Sequence, residues 1–349
     1  MKLRHLLFYA LLIVSFSIFS KEKESIYNLC DNYNDISKSK YERNALILLS
    51  KYSLLKPNAR SSLKTEGLLP SDYKFIDSVK AQYDLKIMLN SAKIWKSNVG
   101  GDVGFEIANK YLMSWVHEYK PDFNPINETA FDQLFMTYII IKPRISNKNR
   151  VIIENYLSSW GSGYVIRIKK AQKNGIWVNN WQSYRVKIVT YIAIATENSD
   201  LLKEAKRLFK EQVRNNINSD GITLDYKERD AIHYVVADLF PLMQTANLAK
   251  NYYKEDWYSW SADNGASLKK AMLWLKPYIT GDKKKNEFIK SKVAFDKERA
   301  IAGVKGFTGL FDPKVATSLI WLTTLVDPSY LNLAKILADN PPWNNEFCY

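Results

Sequence analysis

The chain has 349 residues, a formal charge of +14 and 50 Lys and Arg against 36 Asp and Glu, enough length for one large domain or two ordinary ones, with a bias toward polyanionic partners. With only 2 cysteines and 3 histidines, it offers no Cys/His spacing of the zinc type and no His-rich metal site. No His or basic cluster flanks Cys30 or Cys348, which argues against a cysteine nucleophile.

Residues 1–20 combine a basic start (Lys2, Arg4, His5) with an uncharged apolar run from Leu6 to Phe19. They are read as a secretory signal peptide, too short in its apolar part for a membrane span. Residues 21–349 are read as a single domain acting outside the cytoplasm, periplasmic or secreted. In an oxidising compartment Cys30 and Cys348 could close one disulfide near the two ends. A basic protein outside the cytoplasm meets acidic polysaccharides rather than nucleic acid. The expected partner is therefore an acidic polysaccharide, with no membrane once the leader is removed, and the chain is expected to act as a monomer.

Helix-period patterns recur along the remainder. Residues 35–55 read as an amphipathic helix ending before Pro57, and Lys56 to Asp72 as a loop rich in Ser, Lys and Pro. Tyr73 to Trp95 and Phe105 to Tyr119 read as helices separated by Asn98-Val-Gly-Gly101. Two prolines make residues 120–128 a structured turn. Helices are predicted over Ala130 to Ile141 and Asn147 to Trp160, followed by a break at Gly161-Ser-Gly163 and a short strand-like piece from Tyr164 to Ile168.

From Ser183 to Thr196 nearly every residue after Lys187 is apolar, which predicts a helix buried on all sides; Leu201 to Ile217 has the one-sided stripe of a surface helix. Alternating buried inner and amphipathic outer helices is what helical hairpins stacked in a ring require. The Asn218 to Gly221 turn precedes Asp225 and Glu228, which have capping-box spacing. Ser267 to Tyr278, Asn286 to Ala300 and Pro313 to Leu325 complete the predicted helices. No internal repeat or linker composition appears, and the fold class is all-α.

Two polar patches stand out on this apolar helical background. The first holds Asn179, Asn180, Trp181, Gln182, Tyr184 and Arg185, and the second Arg229, His233 and Tyr234. Amide donors beside a guanidinium suit a carboxylate whose charge must be stabilised, and a phenol or imidazole can move a proton. Such a set fits β-elimination at a uronic acid, where charge spreads from C5 into the carboxylate and preorganised donors contribute most. That chemistry calls for no metal and no cofactor. Asn179 could equally cap the buried helix. One straight helix carrying both Arg229 and Tyr234 turns them roughly 140° apart, a conflict relieved if the helix begins at Asp230. Trp177, Trp181 and Trp257 are candidates for stacking on sugar rings, whereas Trp274 has core spacing. Lys187 and Arg185 could guide a polyanion or simply face solvent.

Asp220 to Tyr234, running on to Leu239-Phe-Pro-Leu242, resembles the Asp-Gly…Glu-Leu-x-Arg…Tyr-His…Pro-Leu segment of the alginate lyase superfamily. Asn179-Asn180-Trp181 is similar to its Asn-Asn-His segment, and Tyr119 to Glu128 to its Pro-x-x-Asn-Pro-Ile-Asn-Glu turn. Ser267 to Tyr278 and Phe295-Asp296 resemble its C-terminal helices. The resemblance spans roughly residues 115–299. It implies an incomplete (α/α) toroid of stacked helical hairpins that cleaves polymannuronate or a related polyuronate, with glucuronan-like chains close behind. It further implies that Asn180 neutralises the substrate carboxylate, Arg229 assists, and Tyr234 serves as base, acid or both. Trp181 stands where the family carries a histidine, so either His233 takes that role, Tyr234 acts alone, or the toroid binds polymer without turnover.

Overall fold

The computed structural model describes residues 35–342. The expected signal peptide, Cys30 and Cys348 lie outside the described residues. Residues 45–342 form one compact unit, and residues 35–44 are helical.

The helices are α1 (Asp35–Ser53), α2 (Tyr73–Lys96), α3 (Val103–Glu118), α4 (Asp132–Ile141), α5 (Asn147–Lys170), α6 (Asn180–Ala195), α7 (Ser199–Asn216), α8 (Leu224–Arg229), α9 (Ile232–Leu248), α10 (Leu268–Thr280), α11 (Ala294–Ile301), α12 (Thr317–Thr324) and α13 (Leu331–Leu337). Among the described residues there is no strand, only isolated bridges such as Ile217 with Thr223. The larger unit is the all-α hairpin assembly expected of an incomplete (α/α) toroid. Several starts follow from side-chain caps that satisfy otherwise orphaned N–H groups. Asp72 accepts from Lys74 N at 2.7 Å, Asn198 from Leu201 N at 3.0 Å and Ser267 from Lys270 N at 3.1 Å.

Helix α6 is the inner element, packed against α4, α5, α7 and α9. Its apolar run from Ile188 to Ala195 leaves no polar face, and the whole run is buried. Helix α7 keeps Leu201, Ala205, Leu208, Phe209 and Val213 inside, the stripe expected of an outer helix.

The turn before α4 is organised by one carboxylate. Glu128, fully buried, accepts from Tyr119 Oη at 3.2 Å, Asp122 N at 2.9 Å, Phe123 N at 3.0 Å, Trp160 Nε1 at 2.9 Å and Tyr164 Oη. Burial nevertheless pushes its carboxyl up to about 7. Next to it, Asn127 Oδ1 accepts from Thr65 N and Glu66 N, each at 2.9 Å, and pins the long 56–72 loop.

The predicted break at Gly161-Ser-Gly163 and the strand-like piece after it are not present, because α5 runs unbroken to Lys170. These glycines serve close approach instead. A Cβ on Gly161 would lie 2.9 Å from Ile192 Cγ2 and 3.1 Å from Leu201 Cδ1, and one on Gly163 would lie 2.2 Å from the Phe123 ring. The predicted helix from Asn286 shrinks to α11, since residues 285–293 have a different task described below.

Alanine at Gly161 therefore pits a helix-propensity gain of about 1 kcal/mol against an overpacking cost of about 1–3 kcal/mol at a contact with branched Ile192. Gly161→Ala is expected to lower stability in urea unfolding, and a more stable variant would refute the close-approach account.

Candidate active site

Two inner helices each turn a narrow unburied face outward. On α6, Trp181 and Tyr184, three residues apart, are the only side chains not buried. On α9 the half-exposed residues are His233, Tyr234, Ala237 and Phe240, one stripe at helical spacing. Tyr184 lies within electrostatic reach of Tyr234, Asp225, Asp132 and Asp238, so the two faces share one site.

The first polar patch is set by α6's start. Asn179 Oδ1 accepts from Trp181 N at 3.1 Å, the capping role considered for it. Asn180 N then donates to Asp225 Oδ2 at 2.7 Å, joining α6 to α8. Beneath them Gln212 Nε2 donates to Val178 O, Asn179 O and Ser183 Oγ. Asp238 accepts from Ser183 Oγ at 2.6 Å and from Asn216 Nδ2.

The second patch is divided between two helices. Thr223, rather than a capping box at Asp225, caps α8 by accepting from Tyr226 N at 3.3 Å. Helix α8 ends at Asp230, whose φ of 51° is left-handed, and α9 starts at Ile232. This elbow removes the 140° conflict, because Arg229 ends one helix and Tyr234 opens the next. The guanidinium lies 3.8 Å over the Tyr234 ring.

Residues 285–299 hold that elbow. Ala231 has no polar side chain to cap α9, and Glu287 does so from a distance, accepting from Ile232 N and His233 N at 2.9 Å each. Asp230 accepts from Lys285 Nζ and, at 3.0 Å, from Lys290 N; Lys292 N donates to Glu228 O at 2.9 Å. From α11, Asp296 pairs with Arg229, and Arg299 Nη1 donates to Tyr234 Oη at 2.8 Å. Asp296, itself 1% exposed, also accepts from Ser291 Oγ at 2.6 Å.

Burial and neighbouring Asp238 push the Asp225 carboxyl well above the usual range, and burial raises Asp238 to about 6. Arg229 pairs with Asp296, and Arg299 lies 3.8 Å from the same carboxylate. Burial also raises the Tyr234 phenol, with Arg229 and Arg299 opposing the rise. Burial, followed by Arg299, lowers His233, whose ring packs among Tyr234, Phe288 and Phe307. Buried polar atoms without a hydrogen-bond partner include Asn180 Oδ1, Asp225 Oδ1 and Arg229 Nε, the last two 4.0 Å apart. Among the described residues no group of His, Cys, Asp and Glu is arranged to hold a metal ion.

Asn180, Tyr184, Arg229, His233 and Tyr234 thus come together; Trp181 is half-exposed, with its ring 5.9 Å from the Arg185 guanidinium. Other expected residues do not join them. Arg185 is 2% exposed, donates to Ile176 O at 2.6 Å and lies 3.9 Å over the Trp177 ring, so it cannot guide a polymer. Burial lowers it to about 10. Gln182 is buried against it, accepting from Arg185 Nη1 at 3.4 Å. Lys187 neither guides nor faces solvent: it is buried and pairs with Asp132 at 3.0 Å. Trp257 packs 5.1 Å from Phe209 and lines a separate cavity of about 410 Å³ beside α7. Sequence reasoning missed Glu287 and Arg299, and took Asp296 only as part of a helix motif. The one available signal was an Asp and an Arg three apart on a short helix.

Fold and site together place the chain among the all-α polysaccharide lyases. It belongs to the alginate lyase family, whose sequence model matches residues 28–285. The crystal structure of an alginate lyase from Bacteroides ovatus superposes with a TM-score of 0.63 at 13% identity, covering 88% of this chain and 92% of that one. Alginate lyase A1-III from a Sphingomonas species gives a TM-score of 0.52 at 16% identity over 84% of this chain and 92% of that one. A tyrosine-to-phenylalanine variant of A1-III complexed with a tetrasaccharide gives 0.52 at 15% identity, over 74% and 76% of the two chains. At these identities the likeness shows the shared fold. No curated protein matches the sequence.

Arg185→Met removes a buried hydrogen bond and a guanidinium stacked on Trp177. It is expected to cost about 1–3 kcal/mol in chemical unfolding and to leave the salt dependence of polymer binding unchanged. A flattened salt dependence would return Arg185 to the binding surface.

Proposed function

We propose that the chain cleaves a mannuronate-rich polyuronate by metal-independent β-elimination, outside the cytoplasm, leaving an unsaturated uronate at the new end. One observation carries this reading: Tyr234 has Arg229 stacked on its ring and Arg299 on its hydroxyl, and the Asp225 carboxyl lies between Arg229, 4.0 Å away, and the helix start that bears Asn180.

The site is suited to each demand of the reaction. The Asn180 amide and the Arg229 guanidinium are donors for the uronate carboxylate, where charge collects as the C5 proton leaves. Tyr234 in its ionised form takes that proton, and the resulting phenol returns it to the departing O4. Mannuronate and glucuronate share their C4 and C5 configurations, so one phenol on one face serves syn elimination of either. Guluronate, inverted at C5, needs groups on both faces. Trp181 and Tyr184, half-exposed on the same helix, offer rings to neighbouring sugars.

His233 is the weaker candidate for the base. It packs against Phe288 and Phe307, whereas the Tyr234 hydroxyl carries a charged donor. The two assignments predict opposite pH profiles. Burial raises Tyr234, so its tyrosinate fraction grows about tenfold per pH unit below its midpoint. With Tyr234 as base, kcat/KM climbs into the alkaline range. With His233, already lowered and neutral, it stays flat from neutral pH upward.

Incubation with polymannuronate, polyguluronate and glucuronan, followed by the ultraviolet absorbance of the unsaturated product, tests the activity. Signal is expected on polymannuronate, unchanged by EDTA. Binding without signal on any polymer would sink the elimination reading. Tyr234→Phe is expected to abolish turnover with polymer affinity nearly intact, and Asn180→Ala to lower kcat more than binding. A flat pH profile would move the base to His233.

A further inference from the structure

A phenol that removes a proton must first be ionised, and burial works against ionisation of Tyr234. Something at its oxygen has to oppose that penalty. The groups facing Tyr234 are Tyr184 from α6, Arg229 from α8, His233 from α9 itself, and Asp296 with Arg299 from α11. Phe288 meets the ring edge-on, 5.8 Å between centroids.

These groups are not equivalent. Arg229 lies over the ring face, 3.8 Å from its centroid, and its Nη1 is committed to Asp296. His233 is neighbour to the ring, with 5.8 Å between centroids. Among the described residues Arg299 alone hydrogen-bonds the oxygen, Nη1 donating to Oη at 2.8 Å. Its Nη1 lies 3.8 Å from Asp296 Oδ1, within ion-pair range but longer than a hydrogen bond, so the hydrogen bond it makes here is the one to Oη. The guanidinium is held in place by lying 4.1 Å over the Phe295 ring and 5.0 Å from that of Phe307, and its side chain is 21% exposed.

We propose that Arg299 is a further catalytic residue of this chain, whose guanidinium stabilises the Tyr234 phenolate through the charged hydrogen bond to Oη. This rests on the elimination reading above and deepens it. As the C5–H bond breaks, the proton passes to Tyr234 Oη and the electron pair spreads into the C5 carboxylate. That pair becomes the C4–C5 double bond as the C4–O4 bond breaks, O4 leaves with the C4–O4 pair and takes the proton from Oη, and the phenolate is restored against Arg299. Charge-assisted bonds to an oxyanion are about twice as strong as those to a neutral oxygen. Arg299 therefore favours the state in which Tyr234 begins and ends each turnover. Asp296 divides the labour, holding Arg229 over the ring face and leaving Arg299 to the oxygen.

Installing 3,5-difluorotyrosine at Tyr234, an analogue that ionises near neutral pH, allows its titration to be followed by fluorine NMR in the full-length protein without substrate. Arg299→Gln is expected to raise the midpoint by about 1 to 2 pH units. Arg299→Lys, which keeps the charge and is least liable to perturb folding, should restore at least half of that shift. With the natural tyrosine, Arg299→Gln should lower kcat about 100-fold near neutral pH at nearly constant KM and move the alkaline climb upward. A midpoint unmoved in folded Arg299→Gln, or equally raised in both variants, overturns the assignment even if the protein is an active lyase. Absence of turnover by the unaltered protein on every polyuronate overturns the elimination reading instead, and the titration still reports on Arg299.

Discussion

The hydrogen bond from Asn180 N to Asp225 is the constraint on which the site depends. It is buried, 2.7 Å long, and spans 45 residues of sequence to join the first turn of α6 to that of α8. Asp225 is fully buried, so removing either partner would strand a polar group away from water. Through Asp225 the position of Asn180 is referred to Arg229, and through the elbow at Asp230 to Tyr234. Asp238 repeats the arrangement one layer below, accepting from Ser183 of α6 and Asn216 of α7. The inner helices are thus fastened by carboxylates as well as by apolar packing.

This fastening costs ionisation free energy, since Asp225, Asp238, Glu128 and Glu287 all have their carboxyls raised by burial. A buried network of this kind is favourable only when its members are satisfied. Glu128, with a full set of donors, meets that condition and organises the turn before α4. Asp225 does not, because its Oδ1 and the facing Arg229 Nε are left unpartnered. The contrast separates a structural carboxylate from one placed beside reactive groups.

The fold was legible because its signals are periodic. The featureless apolar run of α6 and the one-sided stripe of α7 differ in the way that inner and outer helices must, and Asn179 reads as a cap from its place before that run. Glycine misled at Gly161 and Gly163, since the same absence of Cβ permits a break or a close contact, and only the neighbours decide. Arg185 misled because its partner is the carbonyl of Ile176, which no side-chain pattern reveals. For the site, Asn180, Arg229 and Tyr234 stand out as polar residues on apolar helices. Asp296 and Arg299 are ordinary surface-helix charges until the chain folds back on α8 and α9.

That folding back sets an order of events. Glu287 caps α9, Lys285 and Lys290 fix the elbow, and Asp296 and Arg299 reach Arg229 and Tyr234, so the last contributions come from residues 285–299. The ribosome makes the chain from its N-terminus, and α6, α8 and α9 emerge well before that segment does. Until residue 299 is available, Arg229 and Tyr234 exist as side chains without their mutual geometry. Assembly of the cleft is therefore among the later acts of synthesis, and a nascent chain carrying every residue of the two polar patches is still unarmed.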